Sequence, residues 1–165
     1  MIGNALQIIQ WLTGQKQGVE WEIKRHRQKR SLSQNSYYWK LVGMISDDQR
    51  LPKSVVHNKM LRDYGQLMSI EGRLIPVDIL DTEKAEEKAL RLETVHLKPT
   101  SQVRMGSKKQ MFRTYVMLRG SHDYDSREMS ILLDGAVQEA QNLGIETLKP
   151  YELEALKVAE LNHAG

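Results

Sequence analysis

Residues 24–36, KRHRQKRSLSQNS, set five cations (Lys24, Arg25, Arg27, Lys29 and Arg30) within seven positions and run directly into Ser31, Gln34 and Asn35. Guanidinium and ammonium groups at that density call for a polyanion, and the Gln34 and Asn35 amides add donors and acceptors for phosphates or base edges. Tyr37, Tyr38, Trp39 and Lys40 follow at once. Charge for the backbone beside rings for the bases is the combination that holds single-stranded nucleic acid. The same pattern also describes a solvated basic strand end leading into the buried face of a helix, with Gln34 and Asn35 used for capping and turn formation.

A second concentration of charge lies further on. Residues 98–119 hold Lys98, Arg104, Lys108, Lys109, Arg113 and Arg119 without one acid, whereas residues 78–93 hold Asp78, Asp81, Glu83, Glu86, Glu87 and Glu93. This segregation predicts a distinctly positive face. If Lys108, Lys109, Arg113 and Arg119 lie beside the first cluster, the two form one groove, an adjacency that sequence leaves open. His122-Asp123-Tyr124-Asp125 is the most enzyme-like constellation, since an imidazole and two carboxylates in four residues are of the type that holds a divalent metal for phosphodiester cleavage. Asp125 and Glu128, however, have the spacing of a capping box, which accounts for these acids structurally. His26, His57, His96 and His163 stand far apart, and none has the i, i+4 partner that puts two imidazoles on one helical face. No phosphate-binding GxxxxGK[ST] loop, GxGxxG turn or GxSxG elbow occurs. The expectation is therefore no catalytic residue, no metal and no cofactor.

At 165 residues, 40% hydrophobic and 27% charged, the chain has enough apolar side chains for one ordinary core, and residues 1–165 read as a single domain. A net charge of +3 is only mildly basic, so an argument for nucleic acid rests on where the charges lie. The absence of cysteine removes disulfides, thiolate metal sites and thiol nucleophiles and fits a reducing cytoplasm. No run of about 18 apolar residues exists to span a bilayer, and MIGNALQIIQWL does not read as a signal peptide, so an intracellular, soluble, cytoplasmic protein is expected.

The elements that must position these groups follow from periodicity. A short helix is predicted at Ala5–Leu12 and a half-buried strand at Val19–His26, where Val19, Trp21 and Ile23 alternate with Glu20, Glu22 and Lys24. Ser33 caps a helix to about Ser46 on which Tyr38, Leu41, Val42 and Ile45 form one stripe. Pro52 opens and Gly65 closes another helix. Residues 70–80, broken by Gly72 and Pro76, read as short irregular strands, and residues 82–94 as a helix with acids in its first turn. Alternation predicts a strand at Ser107–Leu118, with Phe112, Thr114, Val116 and Leu118 on one side and Arg113 and Tyr115 on the other. Met105, Met111 and Met117 suit a core or an interface. A strongly periodic helix runs from Asp125 or Ser126 to Gly144, and a last one occupies about 150–163, placed to dock on the body or on a partner subunit. The fold class is α+β, with a small antiparallel or mixed sheet flanked by several helices.

At Arg30-Ser31-Leu32-Ser33-Gln34-Asn35, followed by Trp39 and Leu41, the chain resembles the phage NinB family, also called Orf recombination proteins, which show an RSLxQN turn between a strand and a helix. Lys29–Leu32, Tyr38-Trp39, Gly120–Asp125 and residues 143–148, LGIETL, also resemble a phage protein family of low-GC Gram-positive bacteria, some of whose members are labelled putative HNH nucleases. The first resemblance implies a homodimeric, non-catalytic recombination accessory (mediator) protein. Its partners would be single-stranded or branched DNA, a single-strand-binding protein and a recombinase. It carries over to Arg30, Ser31, Leu32, Gln34 and Asn35, and it expects an initial β-strand that is absent or truncated at Met1. The nuclease label transfers poorly, because His57-Asn58 falls on a predicted helix and Asn162-His163 stands at the end of the chain. The readings that compete with DNA binding are a metal-dependent nuclease or resolvase built on Asp123 and Asp125, and a non-catalytic protein adaptor.

Overall fold

Helix α2 (Leu32–Gln49) places Tyr38, Leu41, Val42 and Ile45 on one side, and all four are buried. In the computed structural model, which describes residues 5–16, 18–20 and 32–158, that stripe packs against helix α5 (Ser126–Asn142) through Met129, Leu132, Leu133, Ala136, Val137 and Ala140. Helix α3 (Lys53–Tyr64) closes the layer with Val56, Met60 and Leu61, and helix α6 (Pro150–Val158) adds Leu153. Removing this much aliphatic and aromatic surface from water is the main force holding the helical layer together. Helix α1 (Ala5–Thr13) agrees with its expected span within a residue. The predicted strand at 19–26 begins with Val19 and Glu20 outside any strand, and the rest of it, together with Lys24–Ser31, lies outside the described residues.

The second layer is a three-stranded antiparallel sheet in the order β3 (Pro76–Leu80), β5 (Met111–Leu118), β4 (His96–Met105). Helix α4 (Glu83–Arg91) covers it, burying Ala89 against Leu97 and Tyr115 with Val77, Ile79 and Met117 around them. The predicted alternation of β5 is present, and the Tyr115–Met117 side is the one that meets α4. A separate two-residue pairing, β1 (Ser69–Ile70) with β2 (Arg73–Leu74), turns through Glu71 and Gly72 at φ 50° and 76°. Two successive positive φ values match the twist of a tight hairpin, which is why glycine serves at the second position.

Several expectations shift at their edges. Strand β5 starts at Met111 and not Ser107, because Gly106–Gln110 forms the turn, closed by Gly106 N–H to Gln110 O at 2.7 Å. Helix α4 stops at Arg91, short of residue 94. Strand β4 was not anticipated, since Pro99 and the polar run after it hide the alternation. Pro99 donates no hydrogen bond, and the ladder slips between Pro99 and Val103, from Pro99 opposite Tyr115 to Val103 opposite Arg113. Gly135, inside α5 where alanine would favour the helix, faces the Tyr64 ring, and a methyl group there would collide with it. Tyr64 Oη then donates to Glu139 at 2.9 Å. No helix among the described residues is long and apolar enough to cross a membrane.

The two layers meet at a buried polar junction on α3. Asn58, 2% exposed, donates through Nδ2 to Leu90 O at 2.8 Å and Leu92 O at 2.7 Å, pairing carbonyls at the end of α4. Because both amide hydrogens are thereby assigned, Asn58 Oδ1 is an acceptor, so the 2.7 Å contact with His96 is a bond donated by His96 Nδ1. On the preceding residue, His57 Nδ1 lies 2.6 Å from Tyr38 Oη, and its ring meets that of His96 edge-on at 5.3 Å. Burial, reinforced by the neighbouring His96, pushes the His57 imidazole down to about 4; burial, reinforced by His122, also lowers His96.

Two outcomes follow for stability. Asn58→Ala strands two carbonyls and an imidazole N–H and should cost about 3 kcal/mol in urea unfolding; a loss below about 1 kcal/mol would mean that water replaces the amide without penalty. His57 binds its proton more weakly folded than unfolded, where its pKa is ~6.5, so its contribution is complete above that value and is lost as pH falls toward 4. Unfolding free energy should fall by up to about 1.4 kcal/mol per pH unit per imidazole across that window, and His57→Gln should flatten the slope. Parallel wild-type and variant profiles would contradict this.

Candidate nucleic-acid interface

Helix α2 divides the residues nominated from its sequence between interior and surface. Gln34 is 1% exposed and faces inward, and Asn35 is half-buried with its Oδ1 enclosed. Gln34 does not extend into solvent as a phosphate ligand would, whereas Asn35 keeps part of its surface open. Tyr37 packs against the helical core, and its hydroxyl accepts the Leu148 N–H at 2.8 Å, tethering the segment that leads into α6. Its ring is a packing element, and that weakens the case for it as a stacking platform. Tyr38 is fully buried. Trp39 and Lys40 remain on the surface, Trp39 being 39% exposed. The Trp39 ring rests on His57, with centroids 4.7 Å apart and planes tilted by 36°. Lys24, Arg25, Arg27, Lys29, Arg30 and Ser31 lie outside the described residues.

The second basic cluster folds into the β4–β5 hairpin. From Ser101 to Met105 every residue of β4 is exposed, and the turn carries Lys108 and Lys109 in solvent, with Lys109 at φ 57°. Among the described residues neither lysine has an ion-pair partner. Met105 and Met111, paired across the strands, are exposed at 67% and 40%, so the tip presents apolar as well as cationic surface. Met117, in contrast, packs under α4.

The arginines are engaged internally. Arg104 reaches Asp78 at 2.6 Å and lies 5.5 Å over the Phe112 ring. Arg113 pairs with Asp81 at 2.9 Å and donates to Thr100 O at 2.9 Å. Arg119 grips both oxygens of Glu128, at 2.8 and 2.7 Å, donates to Asp123 O at 2.7 Å and covers the Tyr124 ring. The Glu128 bond raises the Arg119 pKa, and the pair joins the end of β5 to the start of α5. Arg113 and Arg119 must therefore give up carboxylate partners before they can meet a phosphate. Asp125 caps α5, accepting from Glu128 N at 2.9 Å while Glu128 Oε2 accepts from Asp125 N at 3.1 Å, the reciprocal pair that the spacing predicts. His122 and Asp123 lie 3.4 Å apart on the surface.

Among the described residues, the nominated side chains that remain open on the surface without a carboxylate partner fall into two places. Lys108 and Lys109, with Arg104 nearby, occupy the hairpin tip; Trp39 and Lys40 sit on α2. Trp39 is linked through His57 to His96 at the opposite end of β4, a strand of ten residues and so roughly 30 Å long at ~3.3 Å per residue. Sequence reasoning missed a third feature. Trp39, Ser54, His57, Leu92 and Glu93 line a pocket of ≈ 220 Å³. These residues come from α2, α3 and the loop after α4, and the exposed Trp39 was its only sequence signal.

Compared with protein-family models, with curated proteins and with solved structures, the chain matches none.

Proposed function

We propose that the protein is a DNA-binding accessory (mediator) of phage or prophage recombination, holding single-stranded DNA without catalysing a reaction on it. The observation that carries the reading is the β4–β5 hairpin, which projects Lys108 and Lys109, with no carboxylate partner among the described residues, beside exposed Met105 and Met111. Acids are absent from residues 94–122, so nothing along the hairpin itself repels a phosphate backbone. Trp39 supplies a ring on which a base can stack. The recombination setting and action as a homodimer in the bacterial cytoplasm rest on the likeness of the RSLSQN segment, whose last four residues open α2, to the NinB family, with a single-strand-binding protein and a recombinase as partners. A metal-dependent nuclease is less well supported, because Asp125 is held as a helix cap and Glu128 is held by Arg119.

Fluorescence anisotropy with labelled single-stranded, duplex and branched oligonucleotides at two salt concentrations tests the reading. Single-strand affinity should fall with salt with a slope near −0.7 per neutralised phosphate, and the double change Lys108→Ala and Lys109→Ala should make that slope shallower by about 1.4. Arg104→Ala should do less, since Asp78 already occupies that guanidinium. An unchanged slope in the lysine variant would remove the hairpin from the interface. Absence of binding at low salt, or magnesium-dependent cleavage of branched DNA lost in Asp123→Ala, would overturn the proposal.

A further inference from the structure

We infer that the pocket formed by Trp39, Ser54, His57, Leu92 and Glu93 receives a single nucleobase and prefers guanine. The inference deepens the nucleic-acid reading and rests on it for its biological ligand. Size sets the first limit: ≈ 220 Å³ lies below the ~300–1,000 Å³ of pockets that take drug-sized ligands, so one planar ring system is the appropriate load.

Charge sets the second limit. The lining holds one carboxylate and no lysine or arginine, so it repels a phosphate and suits the uncharged end of a nucleotide. His57 adds no positive charge at neutral pH, because burial keeps the imidazole unprotonated. Shape then favours stacking. The Trp39 indole is partly exposed, and its position is fixed by His57, which Tyr38 holds in turn. A ring already immobilised loses little conformational freedom when a base lies on it.

Glu93 supplies the selectivity. It is exposed on the short loop between α4 and β4, and among the described residues it makes no ion pair. A carboxylate only accepts hydrogen bonds. Guanine is the base whose pairing edge offers two adjacent donors, its ring N–H and its amino group. Cytosine and adenine each set one amino group beside a bare ring nitrogen, and thymine flanks a single N–H with two carbonyls. Ser54, whose hydroxyl both donates and accepts, can serve the remaining edge. The end of α4 that precedes Glu93 is fixed by the bonds from Asn58 to Leu90 O and Leu92 O, so the carboxylate stands on a braced segment.

The test titrates the four nucleoside monophosphates GMP, AMP, CMP and TMP into ¹⁵N-labelled full-length protein and follows the Trp39 indole N–H, assigned with Trp39→Phe. All four are used as the 2′-deoxynucleotides, with the same sugar and phosphate, so differences report the base. GMP should move the resonance, binding roughly fivefold or more tightly than CMP or TMP, the order expected of one additional hydrogen bond. Glu93→Gln, an exposed change that leaves folding intact, should bring the four within about twofold of one another. No response to GMP, or a preference that survives Glu93→Gln, overturns the inference. A companion anisotropy measurement compares oligothymidylate with the same strand carrying one central guanine. Preference for the guanine strand should vanish in Glu93→Gln and persist in the Lys108→Ala, Lys109→Ala variant. Selective GMP binding without oligonucleotide binding would defeat the nucleic-acid reading and leave the base pocket standing; oligonucleotide binding without base preference would defeat the pocket alone.

Discussion

The architecture turns on one buried amide. Asn58 is the point at which the helical layer and the sheet layer exchange hydrogen bonds, and each of its polar atoms has a partner whose position matters elsewhere. Its two N–H groups terminate α4 and so place Leu92 and Glu93; its oxygen sets the tautomer and orientation of His96, the first residue of β4. Other contacts on α3 run parallel to it. Arg62 donates to Leu97 O at 2.7 Å and pairs with Glu86, which also accepts from Tyr115, while Lys98 returns a bond to Arg62 O. A buried polar network of this kind is costly when incomplete, because an unpaired group in a low-dielectric interior loses its water without replacement. Asn58 is fully paired, whereas Arg62 Nη2 is enclosed without a hydrogen-bond partner, so the specifying part of the junction is the amide that joins the end of α4 to the start of β4.

The charge pattern has a different meaning in three dimensions from the one it has along the chain. Acids at 78–93 and bases at 98–119 are separated in sequence, yet the β3–β5–β4 order interleaves them. Asp78 meets Arg104 and Asp81 meets Arg113, with Arg119 neutralised by Glu128 beyond the sheet. Among the described residues, the positive face expected of 98–119 is thereby reduced to a cationic tip. The pairs are unequal in weight. Arg104–Asp78 is open to water and contributes little, whereas Arg119–Glu128 is bidentate and only 15% and 20% exposed, so it organises the β5–α5 corner.

How much of this was legible in the sequence depended on whether a feature is local. The stripes of α2 and α5 and the Asp125–Glu128 capping box are written within one element, and their spacings identified them. Strand β4 was hidden because Pro99 interrupts both its hydrogen bonding and its alternation, and only pairing with β5 restores it. Gln34, polar and close behind a basic run, reads as a surface ligand, yet helix α2 rolls it into the interior. Tyr37 and Trp39 look equivalent as rings; two positions apart on a helix, they point some 200° around the axis from each other, one toward Leu148 and the other toward His57. The pocket was beyond reach for the same reason, since its walls are separated by more than fifty residues and meet through Trp39 on His57 and through the bonds of Asn58 to the end of α4.

The placement of the two candidate contact regions bears on which form of nucleic acid suits the molecule. Lysines at a hairpin tip neutralise phosphates without regard to sequence, and a duplex satisfies them as well as a single strand does. A pocket that takes one base on an indole is more demanding. In a duplex the base is stacked and paired, and extracting it costs a few kcal/mol, whereas an unpaired strand offers it freely. On the proposed reading, with the pocket near one end of β4 and the lysines at the other, a flexible single strand would have to span roughly 30 Å to engage both. A stiff duplex that meets the tip keeps its bases out of reach of Trp39. On the proposed reading, discrimination between single and double strands would originate at Trp39, whose ring packs on His57, while the hairpin lysines would supply affinity to either.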